Sequence, residues 1–391
     1  MASQRNTVIS ICKALGIILM VIGHADAPTR LHCFLYEFHM PLFFITAGYF
    51  FSLKYLTDEA TFVKKRIKGL YLPFVKWAVF FLIIHNWMFD LGILNEHYGN
   101  WEGGVTHPYS WHQIQQNFWN IITAMAGYDA FLCGAFWFFR GLLVASIVYL
   151  IIYKGIDLLC GKTKLPHRET WVPIMVCIFC LLIAGWKTYE GLRVINIIQG
   201  GYREIMGTFF FGCGFLFRKY EQGYTTLLHT AHNSTISYLK SGSATLLFGI
   251  TVYLFSVYLT ANMNWRSSYT QFLSLPLPAI LGFLMTYNVS SYLNRCNGWL
   301  KRFLVFCGDN TLPIFIFHII SFKVVSLIKI AYYNLDPQQI GCHMVIHDYA
   351  KEDFFWILYT IAGVGIPLLG TWIMQRLTSK QVPASSTSPS H

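Results

Sequence analysis

Lys13–His24, KALGIILMVIGH, sets two ionisable side chains at the ends of an otherwise apolar run. At about 100° per residue, eleven residues return a helix to within roughly 20° of its starting face and advance it by ~16 Å, so both side chains lie on one stripe. A charge near the bilayer core costs on the order of 2.5–3.5 kcal/mol on insertion scales, so a chain seldom carries one without a use. The run therefore predicts a membrane helix that forms one wall of an active site.

Outward from this helix the chain keeps the same character. Its 391 residues are 55% hydrophobic and only 12% charged, with a mean hydropathy of +0.46, well beyond the range of soluble domains. Apolar segments at 8–25, 34–53, 73–94, 133–153, 172–186, 205–217, 244–262, 271–291, 311–331 and 353–375 predict an all-α, polytopic bundle of about ten transmembrane helices. Several are shorter than the ~20 residues of a perpendicular span, which predicts tilt, re-entrant geometry or displaced ends. The first segment is too long and too charged for a cleaved signal peptide. Without a long hydrophilic block, residues 1–376 read as a single transmembrane domain and 377–391, with its Ser/Pro-rich QVPASSTSPSH, as a disordered cytoplasmic tail.

Lys and Arg divide 19 to 6 between alternate connectors, with Lys13, Arg140, Lys323 and Lys329 inside the apolar segments. The positive-inside rule then places both termini in the cytoplasm and the chain in a plasma membrane, with a bacterial inner membrane the best fit. The net charge of +11 reflects this topology; the basic residues sit in short connectors without regular aromatic platforms, which excludes a nucleic-acid partner. Connector 95–132 has three His and three Trp but no Lys or Arg and should face outward, as an interfacial aromatic belt or a carbohydrate-stacking surface. The ten cysteines sit mostly alone in apolar runs, and neither Cys177–Cys180 nor the i, i+4 pair His343 and His347 reads as a metal site.

His24 closes the first helix in GHADAP, where Pro28 stops the chain and Asp26 adds an outward carboxylate suited to a polar substrate. A neutral imidazole there can take a proton from a hydroxyl, the requirement of general-base acyl transfer. Lys13 either snorkels to headgroups or, with the cluster KKRIK at 64–68, binds the phosphates of an anionic cofactor. Arg140, embedded in AFWFFRGLLVAS, requires a partner: Glu37, Glu204, or a ligand carbonyl or phosphate. Glu37 and His39 in YEFHMPLFFITAGYFF either orient His24 or bind a polar substrate, and Gly48 permits close helix approach. In GDNTLPIFIFHII a helix starts at Asp309–Thr311 and places His318 inside the membrane.

These motifs, in this order, resemble the acyltransferase-3 family of multi-pass membrane O-acyltransferases, and within it the fucose 4-O-acetylase-like branch. The resemblance spans roughly residues 8–375 and rests on ISICKALGIILMVIGH, FHMPLFFITAGYFF, the basic stretch leading to YLPF, FWFFRGLLVA and GDNTLPIFIFH. The family's first motif is a basic residue, ten positions and a His, met here by Lys13 and His24, with Lys where many members carry Arg. Its paired-arginine motif corresponds to Lys65 and Lys68, or in another register to Arg66 and Gly69. The resemblance implies ten core helices and transfer of an acyl group, acetyl by default, from cytoplasmic acetyl-CoA to an acceptor across the membrane. On that basis Lys13, Lys65, Arg66 and Lys68 hold the cofactor, and His24 deprotonates a sugar hydroxyl directly or carries the acyl group itself. Arg140 or His318 steadies the oxyanion or thiolate; no metal is involved. A transporter or flippase of lipid-linked sugar, using the same polar cavity, is the alternative.

Overall fold

The structure is a computed structural model; it describes residues 6–99, 104–163, 165–193, 198–228, 234–263, 274–343, 345–346 and 353–379. His347 and residues 380–391 of the tail lie outside these. Among the described residues regular structure is helical: α1 (Thr7–Gly23), α2 (Thr29–Tyr36), α3 (His39–Tyr49), α4 (Glu59–Arg66), α5 (Leu72–Asp90), α6 (Trp111–Ala124), α7 (Ala130–Cys133), α8 (Trp137–Lys162), α9 (Arg168–Tyr189), α10 (Tyr202–Leu228), α11 (Ser234–Tyr258), α12 (Pro276–Arg295), α13 (Trp299–Asp309), α14 (Thr311–Tyr333) and α15 (Phe355–Ser379). Among the described residues six helical stretches are long and apolar enough to cross a membrane: Glu59–Asp90, Ala130–Lys162, Arg168–Tyr189, Ile236–Tyr258, Thr311–Tyr333 and Phe355–Thr378. Each of the ten apolar segments read from the sequence falls on a helix or helix pair, and α15 runs to Ser379, three residues into the stretch expected to be a tail.

Prolines decide where several helices break. The segment 34–53 is two helices, α2 and α3, rather than one. Pro41 stands four residues after Glu37, so a continuous helix would drive its ring against the Glu37 carbonyl and lose a hydrogen bond, and the chain turns at Glu37–Phe38 instead. Pro313 does the same relative to Asp309, separating α13 from α14. Pro73 stands four residues after Gly69, and there the helix continues through a π-helical turn at Ile67–Tyr71 that joins α4 to α5.

The first helix lies at the centre. It starts at Asn6, whose side chain accepts from the Ile9 N–H (3.2 Å), and ends at His24 before a left-handed turn at Asp26 (φ 60°). Around it pack α3, α12, α13, α14 and α15, while α10 holds α3, α8 and α9. Two crossings are close enough to demand glycine. A Cβ on Gly308 of α13 would lie 1.7 Å from the Ser10 carbonyl oxygen. On the α3–α10 contact, Gly48 and Gly214 face Phe211 O and Ile45 O at 1.8 and 1.9 Å by the same measure.

Candidate active site

The end of α1 brings His24 against α14. His24 Nδ1 lies 3.0 Å from His318 Nε2, with the rings stacked at 5.1 Å and 13°. His318 is fully buried, and its Nδ1 sits 3.1 and 3.0 Å from the carbonyl oxygens of Ile314 and Phe315, one turn back on its own helix. Carbonyls only accept, so His318 Nδ1 carries the hydrogen and Nε2 the lone pair. His24 Nδ1–H therefore donates to that lone pair, which leaves the basic lone pair of His24 on Nε2. His24 itself is only half-buried, so this nitrogen belongs to a ring that a substrate can approach.

The neighbourhood is aromatic and rich in imidazole. Tyr36 packs on Gly23, within 3.1 Å of where a Cβ would stand. His32 stacks on Tyr36 at 3.9 Å and His39 meets its edge at 4.8 Å. His39, buried, donates through Nδ1 to Leu35 O (2.7 Å), which by the same logic leaves its Nε2 as an acceptor.

A cavity of about 320 Å³ follows the predicted stripe. Lys13, Ile17 and Met20 of α1 line it at i, i+4 and i+7, and His24 is the next position of that series. Phe138 and Phe139 of α8 and Phe315 of α14 form an aromatic wall. The lining reaches Met20 and Phe315, one turn short of His24 and His318 respectively. At the other end Lys13 stands with Thr311 and Leu312, the first turn of α14, and with Gly69 and Leu70 from the π-helical turn. An ammonium beside the N-terminal N–H groups of a 23-residue helix is an arrangement that favours anions.

The remaining sequence-predicted residues are distributed differently. Arg140, buried on α8, has Glu204 of α10 as its partner, Nε to Oε1 at 3.4 Å; beside it the Arg203 guanidinium covers the Trp137 ring at 4.0 Å. Glu37 is fully buried and accepts from the Ala261 N–H (2.8 Å), tying the end of α11 to the α2–α3 turn. In the basic cluster, Lys65 donates to the Tyr55 hydroxyl (3.2 Å), Arg66 packs over Phe62 and Phe211 at 4.9 and 5.4 Å, and Lys68 is exposed. Lys13, and not this cluster, lines the cavity. Asp26 is exposed in the turn just beyond His24. Asn310 precedes α14 without capping it: its side chain instead donates to Phe306 O and accepts from Gln375.

Sequence reasoning overlooked a third buried histidine. His85 of α5 donates through Nε2 to His107 O (3.0 Å) and meets Asp129 Oδ2 with Nδ1 at 2.5 Å. Asp129 Oδ1 accepts from the Phe131 and Leu132 N–H groups and so caps α7. Tyr109 stacks on His85 at 3.8 Å, and Asn86 makes paired hydrogen bonds with the Tyr109 backbone. Together they fasten connector 104–110 to α5. The signal was present as an ionisable residue inside the apolar run FFLIIHNWMF. Lys323, also buried, donates to Ile340 O and Cys342 O at 2.6 and 2.5 Å. Among the described residues no three His, Cys, Asp or Glu side chains are placed to share a metal ion.

A family model described as an acyltransferase domain, Acyl_transf_3, matches residues 6–376. No curated protein and no solved structure matches the chain.

Proposed function

The chain belongs to the acyltransferase-3 family and is a multi-pass membrane acyltransferase; from that premise we propose that it moves an acetyl group from cytoplasmic acetyl-CoA to a sugar hydroxyl on the outer side of the membrane. The observation that carries the proposal is the His24–His318 pair standing one turn beyond a cavity that leads back to Lys13. Lys13 and the first turn of α14 receive the phosphates of the donor, while Lys65, Arg66 and Lys68 raise the positive potential on the same side. Met20, Phe138 and Phe315 form the apolar passage for the arm that carries the thioester.

His24 Nε2 takes the proton of the acceptor hydroxyl as its oxygen bonds to the thioester carbonyl carbon. The carbon–sulfur bond then breaks, and the imidazolium returns the proton to the departing thiolate, so that products are an ester and a free thiol. His318, with both nitrogens engaged, is a positioning residue: it fixes the His24 tautomer and accepts its hydrogen bond throughout. Arg140, sharing its charge with Glu204, is assigned to the negative charge that develops on the carbonyl oxygen or sulfur. His39 and Asp26 contact the acceptor on the outer side, and Glu37 shapes that face by holding Ala261. Connector 95–132, fastened by His85, supplies carbohydrate-stacking aromatics.

Ten spans, with both termini cytoplasmic in a bacterial plasma membrane, complete the proposal; α1, the α2–α3 pair, α10 and α12 add to the six long apolar helices. The test is incubation of the purified full chain with labelled acetyl-CoA and candidate glycans, with mass spectrometry of the product and an assay of released thiol. Acetylated glycan and stoichiometric thiol are expected. A folded His24→Ala variant that still transfers acetyl at the parental rate would remove the mechanism.

A further inference from the structure

Between α11 and α12 lies a second cavity, an open groove of about 730 Å³, that shares no residue with the one beneath the histidines. Its wall is polar for a place between two membrane-facing helices: Tyr238, Ser241 and Thr245 of α11, and Asn288, Tyr292 and Arg295 of α12. Among the described residues no carboxylate lines it. Asn288 is 5% exposed; its Oδ1 accepts from the Tyr224 hydroxyl at 2.8 Å, and its Nδ2 has no hydrogen-bond partner. A buried amide N–H left unpaired is costly, and a ligand oxygen would satisfy it.

A third feature points the same way. Gly242 sits in the interior of α11, where glycine costs about 1 kcal/mol relative to alanine; a Cβ there would meet no atom within 4 Å and would project into open space. The position thus leaves volume unfilled in the cavity wall. Leu246 and Val289 continue the wall one turn further along the helix pair; both are exposed, and with Leu247, Ile250 and Leu254 they give α11 and its groove an apolar outer face. The polar part lies at the end of the bundle that carries the amino terminus, since Thr7 donates to Asn294 (2.8 Å). That end also carries Lys240 of α11 and, at the start of α13, Lys301 and Arg302, Lys301 donating to Asn294 O.

We infer that this cavity binds one anionic phospholipid, its phosphate held by Arg295 and the Asn288 amide and its acyl chain laid along Leu246 and Val289. A cationic and hydroxyl-rich pocket without carboxylates selects a negatively charged, acceptor-rich head group. Entry past the lipid-facing side of α11 makes the source a bilayer lipid rather than a free anion.

Native mass spectrometry of the full chain in detergent, titrated with phosphatidylglycerol and with phosphatidylcholine of the same acyl chains, tests the site. A single phosphatidylglycerol should bind about tenfold more tightly than phosphatidylcholine: both carry the phosphate, but only phosphatidylcholine brings a quaternary ammonium beside Arg295, with no lining carboxylate to receive it. Arg295→Gln should abolish that preference, and Asn288→Leu, which removes a phosphate contact common to both lipids, should weaken the binding of each about tenfold. Gly242→Leu, whose Cβ would meet no atom within 4 Å and whose side chain would occupy part of the groove, should weaken phosphatidylglycerol binding and reduce the preference, with a melting temperature at or above that of the parent chain as the check on folding. Equal affinity for the two lipids, a phosphatidylglycerol preference unchanged in folded Gly242→Leu, or equally effective displacement by inorganic phosphate would overturn the inference.

Discussion

His24 and His318 are separated by 294 positions, and neither has a chemical role fixed by its own environment alone. Their contact assigns one. Two helix carbonyls hold the hydrogen on His318 Nδ1, which makes Nε2 an acceptor, which in turn places the hydrogen of His24 on Nδ1 and its lone pair on Nε2. Replacing His24 with alanine should lower acetyl transfer by about 10²–10⁴-fold, the usual worth of a positioned acid–base group, with no change in the melting temperature large enough to explain it. His318→Leu removes the acceptor and should lower kcat by about 10²-fold while leaving KM for acetyl-CoA in place; His318→Gln, which offers an amide oxygen to His24 Nδ1, should recover part of that loss. Equal losses in both variants would mean that His318 serves packing only. The sequence identified both rings as intramembrane histidines, yet spacing along the chain carries no information about their 3.0 Å contact.

Among the helices, prolines and glycines had consequences that pattern reading only half anticipated. The segment 34–53 reads as one span by hydropathy because Glu37 and His39 alone do not interrupt its apolar run, whereas the break at Glu37–Phe38 is steric, set by the ring of Pro41. Gly48 reads as a site of close approach, and the structure supplies the partner, Phe211 O on α10. Gly48→Ala or Gly214→Ala should therefore destabilise by more than the ~1–3 kcal/mol of ordinary overpacking, because the obstructing atom is backbone; Gly69→Ala, with nothing within 4 Å, is the control and should unfold with the parent chain. Thermal unfolding in detergent distinguishes them. The α8–α10 contact holds the buried Arg140–Glu204 pair. Arg140→Met should cost about 3–5 kcal/mol by stranding a carboxylate, and Arg140→Met with Glu204→Met should regain much of it. A double variant less stable than the single would show that the two do not act as a pair.

At the scale of the whole molecule, α1 is both the central packing element and the wall of the passage, with Lys13 near one end and His24 at the other. Lys13→Gln should raise KM for acetyl-CoA about tenfold with kcat nearly unchanged, as expected for lost binding to a phosphate far from the reacting atoms; an unchanged KM would return Lys13 to the role of a headgroup anchor. By itself the sequence determined the membrane class, the helical character of ten apolar segments and the stripe that joins Lys13 to His24, because hydropathy and the 3.6-residue period are local properties of a chain. Tertiary structure alone decided which imidazole supports His24, that Arg140 answers to Glu204 while Glu37 answers to Ala261, that Lys65 meets Tyr55 and Arg66 packs on Phe62 and Phe211, and that an α11–α12 cavity exists. These depend on contacts between segments distant in sequence. Where the long helices are all apolar, composition does not distinguish one packing partner from another; shape does, through prolines that end helices and glycines that admit a neighbouring backbone.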